Sequence, residues 1–487
     1  MRGADDFVLF EPAEKRMTQE VTTRSEAPIT DTPAQTAPPG GADVTRPIRP
    51  DFIPAEDYRS STVTALEKQR LWPRVWQMAC SVEEIPQPGD YVVYNIGDDS
   101  ILITRTAADE IRAFYNVCPH RGRRLRDDER GHVNGFWCGF HGWKFDLEGR
   151  STYIHNEEDW AGCASFHRDQ VGLKTVKSDT WAGWVWINQD PESEPLSDYL
   201  GEVTAKLDPF GFEDCRRGWW KTLIAPVNWK VVVEAFNEGY HVFATHHSGI
   251  NYGLVKSPAR AVGRHGMFWG ESAGPGEYRD DGGQWCKAET VQEFVYAANA
   301  WLYKSLHALV LEPGMAASER MIRDLADEPD PMVALGWLFA YQREEIEKRG
   351  AKWPEGLTPR SAAEAGTDWH IFPHSICLPS LDGALWYRLR PNGGDPDSCI
   401  FDIWSLGRWA PGEEPVVKHE IYDGFDAFRG QCAFLEEDFA NMQAVNDGMK
   451  CRGWEGSRTN PVQEAQIVNF HKVLRNYLQS PQETGKP

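Results

Sequence analysis

The chain has 487 residues, of which 41% are hydrophobic and 25% charged, so it can bury a large core and is long enough for two or three domains. Its formal net charge of -22 argues against binding to nucleic acid or to an anionic membrane surface. No basic start leads into an apolar run and no apolar stretch approaches about 18 residues, so we expect a cytoplasmic protein without a membrane span.

Both ends of the chain have the composition of tails. Residues 1–50 are rich in Pro, Thr, Ala, Gly and acidic residues and show little apolar periodicity, which predicts a disordered N-terminal tail. Met17 is an alternative start to Met1. Residues 481–487 are predicted to form a short C-terminal tail.

A helical lead-in and a small β domain are predicted next. In residues 51–76, apolar residues such as Val63 and Leu71 recur at helical spacing, so this segment should form a helix that packs on the larger domain. Short alternating runs then follow, including Tyr91–Ile96, and glycine–aspartate turns separate them. We therefore expect a small antiparallel β domain over residues 77–187.

Two segments of this β region carry cysteine and histidine in a mixed pattern. Cys118 and His120 form a C-x-H motif, and Cys138 and His141 form a C-x2-H motif. Two cysteines can hold one iron of a [2Fe–2S] cluster while two histidines hold the other, which is the Rieske arrangement. We therefore predict a Rieske [2Fe–2S] cluster in this domain.

Structural zinc is the alternative for these four residues, because two Cys and two His also suit a tetrahedral site. Zinc modules usually pair like ligands in each half of the site, whereas each segment here supplies one Cys and one His. The Rieske interpretation is favoured for this reason. The colour of the protein distinguishes the two, since a Rieske protein is reddish brown and a zinc protein is colourless.

Residues 188–480 mix strand-like and helical patterns, which predicts a larger α+β domain. The strand-like runs include Val231–Val233, Ala384–Leu389 and Cys399–Leu406. Residues 290–366 look largely helical, and a cap over a pocket and a surface insertion are equally favoured for them. There is no P-loop and no G-x-G-x-x-G followed by a helix, so we expect neither ATP nor NAD to bind this chain.

A second metal site is predicted around His241 and His246. Two histidines and one carboxylate on one face of Fe(II) leave positions open for dioxygen and substrate. These histidines are five residues apart, about 140° on an ideal helix, so the helix must end or bulge near Ala244–Thr245 for both to reach one metal. Glu238, three residues before His241, can accept a hydrogen bond from its ring. Alone, such a pair of histidines is more often a surface or core feature.

Together, these motifs resemble the large (α) subunit of Rieske non-haem iron oxygenases of the aromatic-ring-hydroxylating type, over roughly residues 51–480. The resemblance implies a small antiparallel β Rieske domain followed by a larger α+β catalytic domain of the helix-grip, START-like kind. It also implies that His241 and His246 bind mononuclear Fe(II), with Asp438 in an acidic helical segment as the third ligand. The fallback ligands are Glu436, Glu437 and Asp447, and a solvated acidic face is the structural alternative.

One position departs from the family pattern. The family usually has Asp where this chain has Glu238, and that residue is taken to bridge towards a cluster histidine, His120 or His141, of a neighbouring subunit. Glu keeps the charge and adds a methylene, so the bridge should survive with changed geometry. Such a Glu occurs in some relatives, including ones that act on non-aromatic amines.

The resemblance implies a terminal oxygenase that receives electrons from an NAD(P)H reductase, often through a ferredoxin, and activates O2. It also implies a homotrimer, to which a small β subunit is added in some relatives. Aromatic-ring dihydroxylation is slightly favoured as the reaction. The alternative is monooxygenation or N- or O-demethylation of a non-aromatic or methylated substrate, and the remote alternative is a Rieske electron carrier without oxygenase activity, which would hold about two Fe per chain rather than about three.

Positive charge is concentrated near the first cysteine–histidine segment of this acidic chain. The residues concerned are Arg121, Arg123, Arg124, Arg126 and Arg130. This arginine patch is predicted to dock an acidic ferredoxin or reductase domain. An equally favoured alternative is that the arginines pair with Asp127, Asp128 and Glu129 or with a neighbouring subunit.

Overall fold

The computed structural model describes residues 43–479 except residues 247, 273 and 281. Most of the predicted N-terminal tail, with both possible start residues, and the predicted C-terminal tail lie outside the described residues. The described part of the N-terminal tail, residues 43–50, packs against the folded chain, since Ile48 is buried. Within the described residues, no helix is both long enough and apolar enough to cross a membrane.

The lead-in segment forms a series of short helices rather than one continuous helix. Its elements are β1 (Ile53–Pro54), α1 (Glu56–Arg59), α2 (Ser61–Leu66), a π-helical turn (Glu67–Leu71) and a 3-10 turn (Trp72–Arg74). Val63, Leu71 and Trp72 are buried in the main core, as expected for the apolar face of a surface helix.

The next region is built on a seven-stranded antiparallel sheet, here called the N-terminal sheet. The elements of the region are β2 (Gln77–Ser81), β3 (Asp90–Ile96), β4 (Asp99–Ala107), β5 (Glu110–Tyr115), β6 (Arg130–His132), β7 (Phe136–Trp137), β8 (Lys144–Phe145), β9 (Ser151–Tyr153), β10 (Thr175–Trp181), β11 (Trp184–Asn188) and 3-10 turns at Val82–Glu84, Glu157–Trp160 and Arg168–Gln170. The strand order is β2-β11-β10-β5-β4-β3-β6, and β7, β8 and β9 form a separate small sheet. Tight two-residue turns join β3 to β4 and β10 to β11. Gly97 (φ +57°) and Gly183 (φ +80°) supply the left-handed backbone that such turns need.

The rest of the chain forms a larger region around an eight-stranded sheet, here called the central sheet. Its first elements are α3 (Leu196–Leu200), α4 (Glu202–Leu207), 3-10 turns (Asp208–Phe210, Phe212–Asp214), β12 (Arg216–Ala225), α5 (Trp229–Ala235), α6 (Val242–Thr245), β13 (Ile250–Asn251), β14 (Leu254–Lys256), β15 (Ala259–Val262), β16 (His265–Phe268), β17 (Glu271–Ser272), β18 (Glu277–Arg279) and β19 (Trp285–Lys287). They are followed by α7 (Val291–Ser305), α8 (Glu312–Asp324), α9 (Pro331–Lys348), α10 (Pro359–Ala365), β20 (Asp368–Ile371), β21 (Ser375–Pro379), β22 (Gly383–Pro391), β23 (Cys399–Gly407), β24 (His419–Asp423), α11 (Phe425–Phe428), α12 (Ala433–Met449), β25 (Gly456–Ser457) and α13 (Ala465–Gln479). The strand order of the central sheet is β15-β16-β20-β21-β22-β23-β12-β24.

The central sheet is covered on both faces. On one face, Trp386 and Trp404 pack on Trp184 of the N-terminal sheet, with ring centroids 5.7 and 4.7 Å away. On the opposite face, Tyr387 packs on Phe236, just after α5, with ring centroids 4.8 Å apart. The mixed helical and antiparallel-sheet architecture confirms the predicted α+β fold.

One strand-like run was assigned wrongly from the sequence. Val231–Val233 lie in helix α5, where all three valines are buried. The Asn228 side chain accepts a hydrogen bond from the Lys230 N–H and caps this helix, which outweighs the strand preference of three β-branched residues. The other two runs, Ala384–Leu389 and Cys399–Leu406, lie in β22 and β23 as predicted.

The segment 290–366 is largely helical, as its pattern indicates, and three of its four helices begin at side-chain caps. Thr290, Asp330 and Thr358 accept hydrogen bonds from N–H groups in the first turns of α7, α9 and α10. Trp301 of α7 packs edge-on against Phe434 of α12, with ring centroids 5.6 Å apart. The helical segment therefore lies beside the acidic helix that carries Asp438.

Candidate metal centres

The two cysteine–histidine segments form loops with one shared backbone pattern. The N–H of Gly122 donates to the carbonyl of Cys118 at 3.0 Å, and the N–H of Gly142 donates to the carbonyl of Cys138 at 2.9 Å. Each cysteine N–H in turn donates to the carbonyl five residues later, at 2.8 Å. Both glycines have φ near the left-handed region, +75° and +77°, which favours glycine. Each loop therefore curls around its cysteine in the same way.

The loops bring the four predicted cluster residues together. The thiols of Cys118 and Cys138 are buried and adjacent, and the ring centroids of His120 and His141 are 4.4 Å apart. The Nδ1 atoms of both histidines are buried without a hydrogen-bond partner among the described residues, and buried polar atoms left without partners need an explanation such as a bound ion. Two thiols and two imidazoles with free ring nitrogens are a donor set that fits a [2Fe–2S] cluster.

The chemistry of these groups is tuned by their surroundings. Burial and the neighbouring Cys138 thiol raise the pKa of Cys118 to about 11. Because thiolates are the form that binds metal, cluster binding must displace the thiol protons. Trp143 stacks on the His120 ring at a centroid distance of 4.9 Å and an interplanar angle of 5°, which fixes the orientation of that ring.

The second candidate centre lies where the chain passes from α5 to α6. His241 immediately precedes α6 and His246 immediately follows it. The helix ends at Thr245. The five-residue spacing of the two histidines predicts an end or a bulge near Ala244–Thr245. The backbone of His246 has left the helical region, with φ -88° and ψ 87°. Both rings can consequently point towards one position.

His241, His246 and Asp438 converge there, and one possible ligand atom of each lies within 4.8 Å of the other two. The Nε2 atoms of His241 and His246 are 3.4 and 3.3 Å from Oδ1 of Asp438. The second oxygen of this carboxylate, Oδ2, is buried and has no partner among the described residues. Two imidazoles and one carboxylate with an unpartnered oxygen fit the donor set of a mononuclear Fe(II) site.

Two further carboxylates orient the histidine rings. Oε1 of Glu238 lies 2.8 Å from Nδ1 of His241, as the spacing predicts, and Oε2 of the same carboxylate accepts the His241 N–H at 3.0 Å. Oε2 of Glu437 lies 2.9 Å from Nδ1 of His246. Each Nδ1 is thus engaged by a carboxylate, which leaves Nε2 of each ring for a metal.

Electrostatics at this centre favour positive charge. Burial lowers the pKa of His246, but its contacts with Asp438 and Glu437 outweigh burial and raise the pKa to about 9. The pKa of His241 is likewise raised, because Glu238 and Asp438 overcome the effect of burial. A divalent cation would replace these protons, since histidine binds metal in its neutral form.

The fallback acids take other positions. Glu437 contacts His246 as described, and Glu436 accepts hydrogen bonds from the N–H groups of Gly430 and Cys432 at 2.7 and 3.1 Å. Asp447 is exposed and accepts a hydrogen bond from Gln443. The sequence analysis named Glu437 only as a fallback ligand and missed its contact with His246.

A cavity of about 280 Å³ adjoins the second centre. It is lined by His241 and Asp438 and by three carboxylates, Glu234, Glu238 and Glu464. Burial and the negative charges of Glu238 and Glu234 raise the pKa of Glu464 to about 7. The cavity therefore joins the candidate metal ligands to a strongly acidic wall.

The arginine patch is partly neutralised within the chain. Arg123, Arg126 and Arg130 form ion pairs with acidic residues at 3.7, 3.3 and 3.2 Å. Arg121 is exposed, and its guanidinium lies over the ring of Phe140, 5.3 Å from the centroid. The predicted pairing with Asp127 and Asp128 is therefore present for Arg123 and Arg126, whereas Arg130 pairs with Glu84 rather than with Glu129.

Two family models match the chain. The model described as the Rieske [2Fe-2S] domain matches residues 75–167. The model described as the ring hydroxylating alpha subunit (catalytic domain) matches residues 212–480, more than half of the chain. Both candidate centres fall inside these matches.

Curated relatives are similar over part of the sequence. The glycine betaine monooxygenase oxygenase subunit of Pseudomonas aeruginosa is 29% identical over 215 residues, 44% of this chain and 49% of the relative. The carnitine monooxygenase oxygenase subunit of Escherichia coli is 33% identical over 196 residues (40% and 52%). The large oxygenase component of the naphthalene 1,2-dioxygenase system of Pseudomonas putida is 34% identical over 196 residues (38% and 42%). The chain thus spans about half the length of the first two relatives, and less of the third.

Solved structures share the fold over most of the chain. A quaternary ammonium Rieske monooxygenase in complex with L-carnitine has a TM-score of 0.57 and 19% identity, covering 88% of this chain and 97% of that one. Naphthalene 1,2-dioxygenase with indole bound has a TM-score of 0.58 and 19% identity, with 88% and 92% coverage.

Proposed function

Because the chain belongs to the ring-hydroxylating oxygenase α-subunit family, we propose that it is the terminal oxygenase component of a multi-protein system. The single observation that carries the proposal is the convergence of His241, His246 and Asp438 on one point. This donor set occurs in the same chain as the Cys118/Cys138 loops, so one polypeptide contains both an electron-storing site and an oxygen-activating site. An electron carrier would have no use for the second site.

In this proposal Cys118, His120, Cys138 and His141 hold a Rieske [2Fe–2S] cluster, and His241, His246 and Asp438 hold Fe(II). When bound, the cluster would supply single electrons, and the mononuclear site would supply the Fe(II) chemistry that activates dioxygen beside the substrate.

The remaining residues hold and orient these groups. Glu238 fixes the ring of His241 and Glu437 fixes that of His246, so both imidazoles keep Nε2 directed at the metal position. Phe434 stacks on the His246 ring at a centroid distance of 4.3 Å and an angle of 6°, which shields that ring from water. Glu238 also lines the cavity beside the centre, where the resemblance places the electron path from a cluster histidine of a neighbouring subunit.

For the reaction, we favour monooxygenation of a methylated amine over aromatic dihydroxylation. Two relatives are named as monooxygenases of glycine betaine and carnitine, and a similar structure is named as a quaternary ammonium monooxygenase. Glu at position 238, rather than Asp, also occurs in relatives that act on non-aromatic amines. The slight preference for dihydroxylation that the family resemblance gave is therefore not retained.

The proposed reaction balances as follows for a demethylation. A trimethylammonium compound R–N(CH3)3+, O2, two electrons and two protons give the protonated tertiary amine R–NH(CH3)2+, formaldehyde and water. The C–H bond of one methyl group is hydroxylated, and the resulting carbinol loses the amine as its C–N bond breaks. An NAD(P)H reductase, directly or through a ferredoxin, supplies the electrons to a homotrimer of this chain.

Aromatic dihydroxylation remains the second candidate, because the naphthalene dioxygenase component is 34% identical over its matched region. Phe236, Tyr387 and Phe401 form an aromatic cluster on the sheet face near the second centre, with ring centroids 4.8 to 5.3 Å apart. Such a cluster suits a flat hydrocarbon as well as a cation.

The test is a single-turnover experiment. Purified protein is loaded with iron and sulfide, reduced without air, and exposed to O2 with glycine betaine, L-carnitine, choline or naphthalene. Mass spectrometry should find an amine and a carbonyl product from a trimethylammonium compound, and Asp438→Ala protein should yield neither. A dihydrodiol from naphthalene with no amine oxidation would establish the second candidate instead.

A further inference from the structure

Strand β20 of the central sheet places a carboxyl group in the protein core. Asp368 is 1% exposed, and its Oδ1 atom is buried without a hydrogen-bond partner among the described residues. A carboxyl group in such a place is costly unless something pairs with it.

The other buried aspartates in the described part of the chain all have contacts with polar groups. Asp402 contacts Arg388 and Thr222, and Asp57 contacts Arg475 and His471. Asp382 accepts hydrogen bonds from two backbone N–H groups and from Gln342, while Asp438 contacts the two candidate ligand histidines. Asp368 is the exception, because its Oδ1 atom has no partner among the described residues. An ion pair inside the chain therefore does not explain why a carboxyl group is buried here.

Asp368 lies on the face of the central sheet that the second centre also uses. It pairs with Phe268 of β16, so the two side chains share a face. An added Cβ at Gly239 would lie 2.9 Å from Cε2 of Phe268, so Phe268 contacts the loop between Glu238 and His241. The carboxyl group is therefore one cross-strand neighbour away from the ligand loop.

The same face carries a second unpartnered polar group. Asp368 and His370 are two residues apart on β20, so their side chains lie on the same face of the sheet. His370 pairs with Ile376, and Ile376 pairs with Tyr387. The Tyr387 side chain therefore lies on the same face as Asp368. The Tyr387 hydroxyl is buried without a partner among the described residues. Its ring packs on Phe236, which follows α5.

On the premise that the proposed amine monooxygenation holds, we infer that Asp368 is a specificity-determining residue that recognises the positively charged nitrogen group of the substrate. A cation bound on this sheet face supplies the partner that the chain itself lacks. The ring of Phe268, the direct cross-strand neighbour of Asp368, is placed to add a cation–π contact to a methylated ammonium group. A neutral hydrocarbon would leave the carboxyl group unpaired, so the site discriminates by charge.

Substrate binding should be linked to proton release. Burial raises the pKa of Asp368 well above its usual range, which favours the neutral acid until a cation pairs with the carboxylate. The titratable groups around it supply no charge near neutral pH: burial lowers the pKa of His370 to about 4 and that of His265 to about 3, and it raises the pKa values of Tyr387 and Cys377. A cation must therefore displace the proton of Asp368, and its affinity should rise with pH.

The test compares two probes of the same shape and different charge. Choline and its uncharged isostere 3,3-dimethylbutan-1-ol are titrated into the anaerobic iron-loaded protein by calorimetry, in two buffers of different ionisation enthalpy at one pH. The wild-type protein should bind choline about tenfold or more tightly than the isostere and release about one proton per choline bound.

Asp368→Asn keeps the size of the side chain and should remove both the preference and the proton release. Asp382→Asn is the matched control, because Asp382 is equally buried but fully paired, and it should keep both. If Asp368→Asn does not fold, the preference of the wild-type protein for choline over the uncharged isostere decides the question, and its absence overturns the inference.

The outcomes separate this inference from the proposed function. If choline binds equally well to the wild-type and Asp368→Asn proteins while single turnover still oxidises amines, Asp368 is not the recognition residue and the proposed function stands. If choline, glycine betaine and L-carnitine all fail to bind, the inference is overturned, and the single-turnover products then decide the function separately.

Discussion

Nδ1 of His246 lies 2.9 Å from Oε2 of Glu437, while Nε2 of the same ring lies 3.3 Å from Oδ1 of Asp438. One imidazole is thus held between two consecutive carboxylates of α12. Because both come from one rigid helix, the orientation of the ring and the position of the proposed iron ligand are fixed together.

Replacing Glu437 by glutamine should weaken iron binding about 10- to 100-fold, because the ring of His246 loses its anionic partner. The dissociation constant for Fe(II) is measured by anaerobic competition with a chelator. Glu436→Gln is the control, since Glu436 accepts hydrogen bonds from the backbone of Gly430 and Cys432. Equal Fe(II) affinities for the two variants would show that Glu437 does not orient the ligand.

Both pairs of histidines could be predicted because their signals are local. Each cysteine–histidine loop needs only a cysteine, a histidine and a left-handed glycine within a few residues, and His241 and His246 are separated by one short helix. The role of Glu437 depends on which face of α12 meets His246, 191 residues away in sequence. Sequence spacing could propose Asp438 from the family pattern, but it could not orient that helix.

Nothing in the sequence indicated that the carboxyl group of Asp368 would be buried without a partner. Its neighbours in the chain, Thr367 and Trp369, resemble those of any buried strand, and its position on the sheet face follows from pairing with strands far away in sequence. The three valines of α5 carried a sequence signal that gave the wrong prediction. Their local preference for a strand was overridden by the Asn228 cap and by burial of the helix.

Iron content should separate the two centres. The loaded wild-type protein should contain about three Fe per chain, Asp438→Ala about two, and Cys118→Ser about one. Cys118→Ser protein should also lose the reddish-brown colour, whereas Asp438→Ala protein should keep it. Metal analysis and visible absorption measure these values, and a colourless Asp438→Ala protein would contradict independent centres.

The buried ion pair between Lys230 and Glu67 should be essential for folding stability. Their Nζ and Oε1 atoms are 2.6 Å apart, and both side chains are almost fully buried. Lys230→Met leaves the Glu67 carboxylate without its cation and should cost about 3–5 kcal/mol of unfolding free energy. Adding Glu67→Gln should recover part of this loss, because the amide keeps the contact with Trp229 Nε1. Urea denaturation of the single and double variants measures the difference, and an equally unstable double variant would refute the charge explanation.

Glu464 should make stability depend on pH. Its pKa is raised from 4.5 to about 7 in the folded protein, so the folded state binds more protons than the unfolded state between these values. Stability is therefore lost as pH rises from about 4.5 to 7. Glu464→Gln should be more stable than the wild type by about 1–2 kcal/mol at pH 8 and similar to it at pH 4.5.

Urea midpoints at the two pH values provide the measurement for Glu464. The exposed Glu455→Gln serves as the control, because this side chain is 77% exposed and pairs only with Arg458 in the described residues. If the stability of Glu464→Gln protein depends on pH as that of the wild type does, the pKa of Glu464 is not raised by burial, Glu238 and Glu234, and the prediction is wrong.

The arginine patch should act through Arg121 and Arg124, because Arg123, Arg126 and Arg130 already pair with acids of the chain. Arg121, next to the cluster histidine His120, is the one to test. Arg121→Glu should slow reduction of the cluster by a reduced acidic [2Fe–2S] ferredoxin about tenfold at low salt, since charge complementarity governs the rate of association. The two proteins should converge at high salt, where long-range attraction is screened. Stopped-flow absorbance of the cluster measures the rate. Arg323→Glu, an equal charge reversal on α8, controls for net charge, and equal slowing by both variants would mean that the overall charge of the protein, rather than this surface, guides the electron donor.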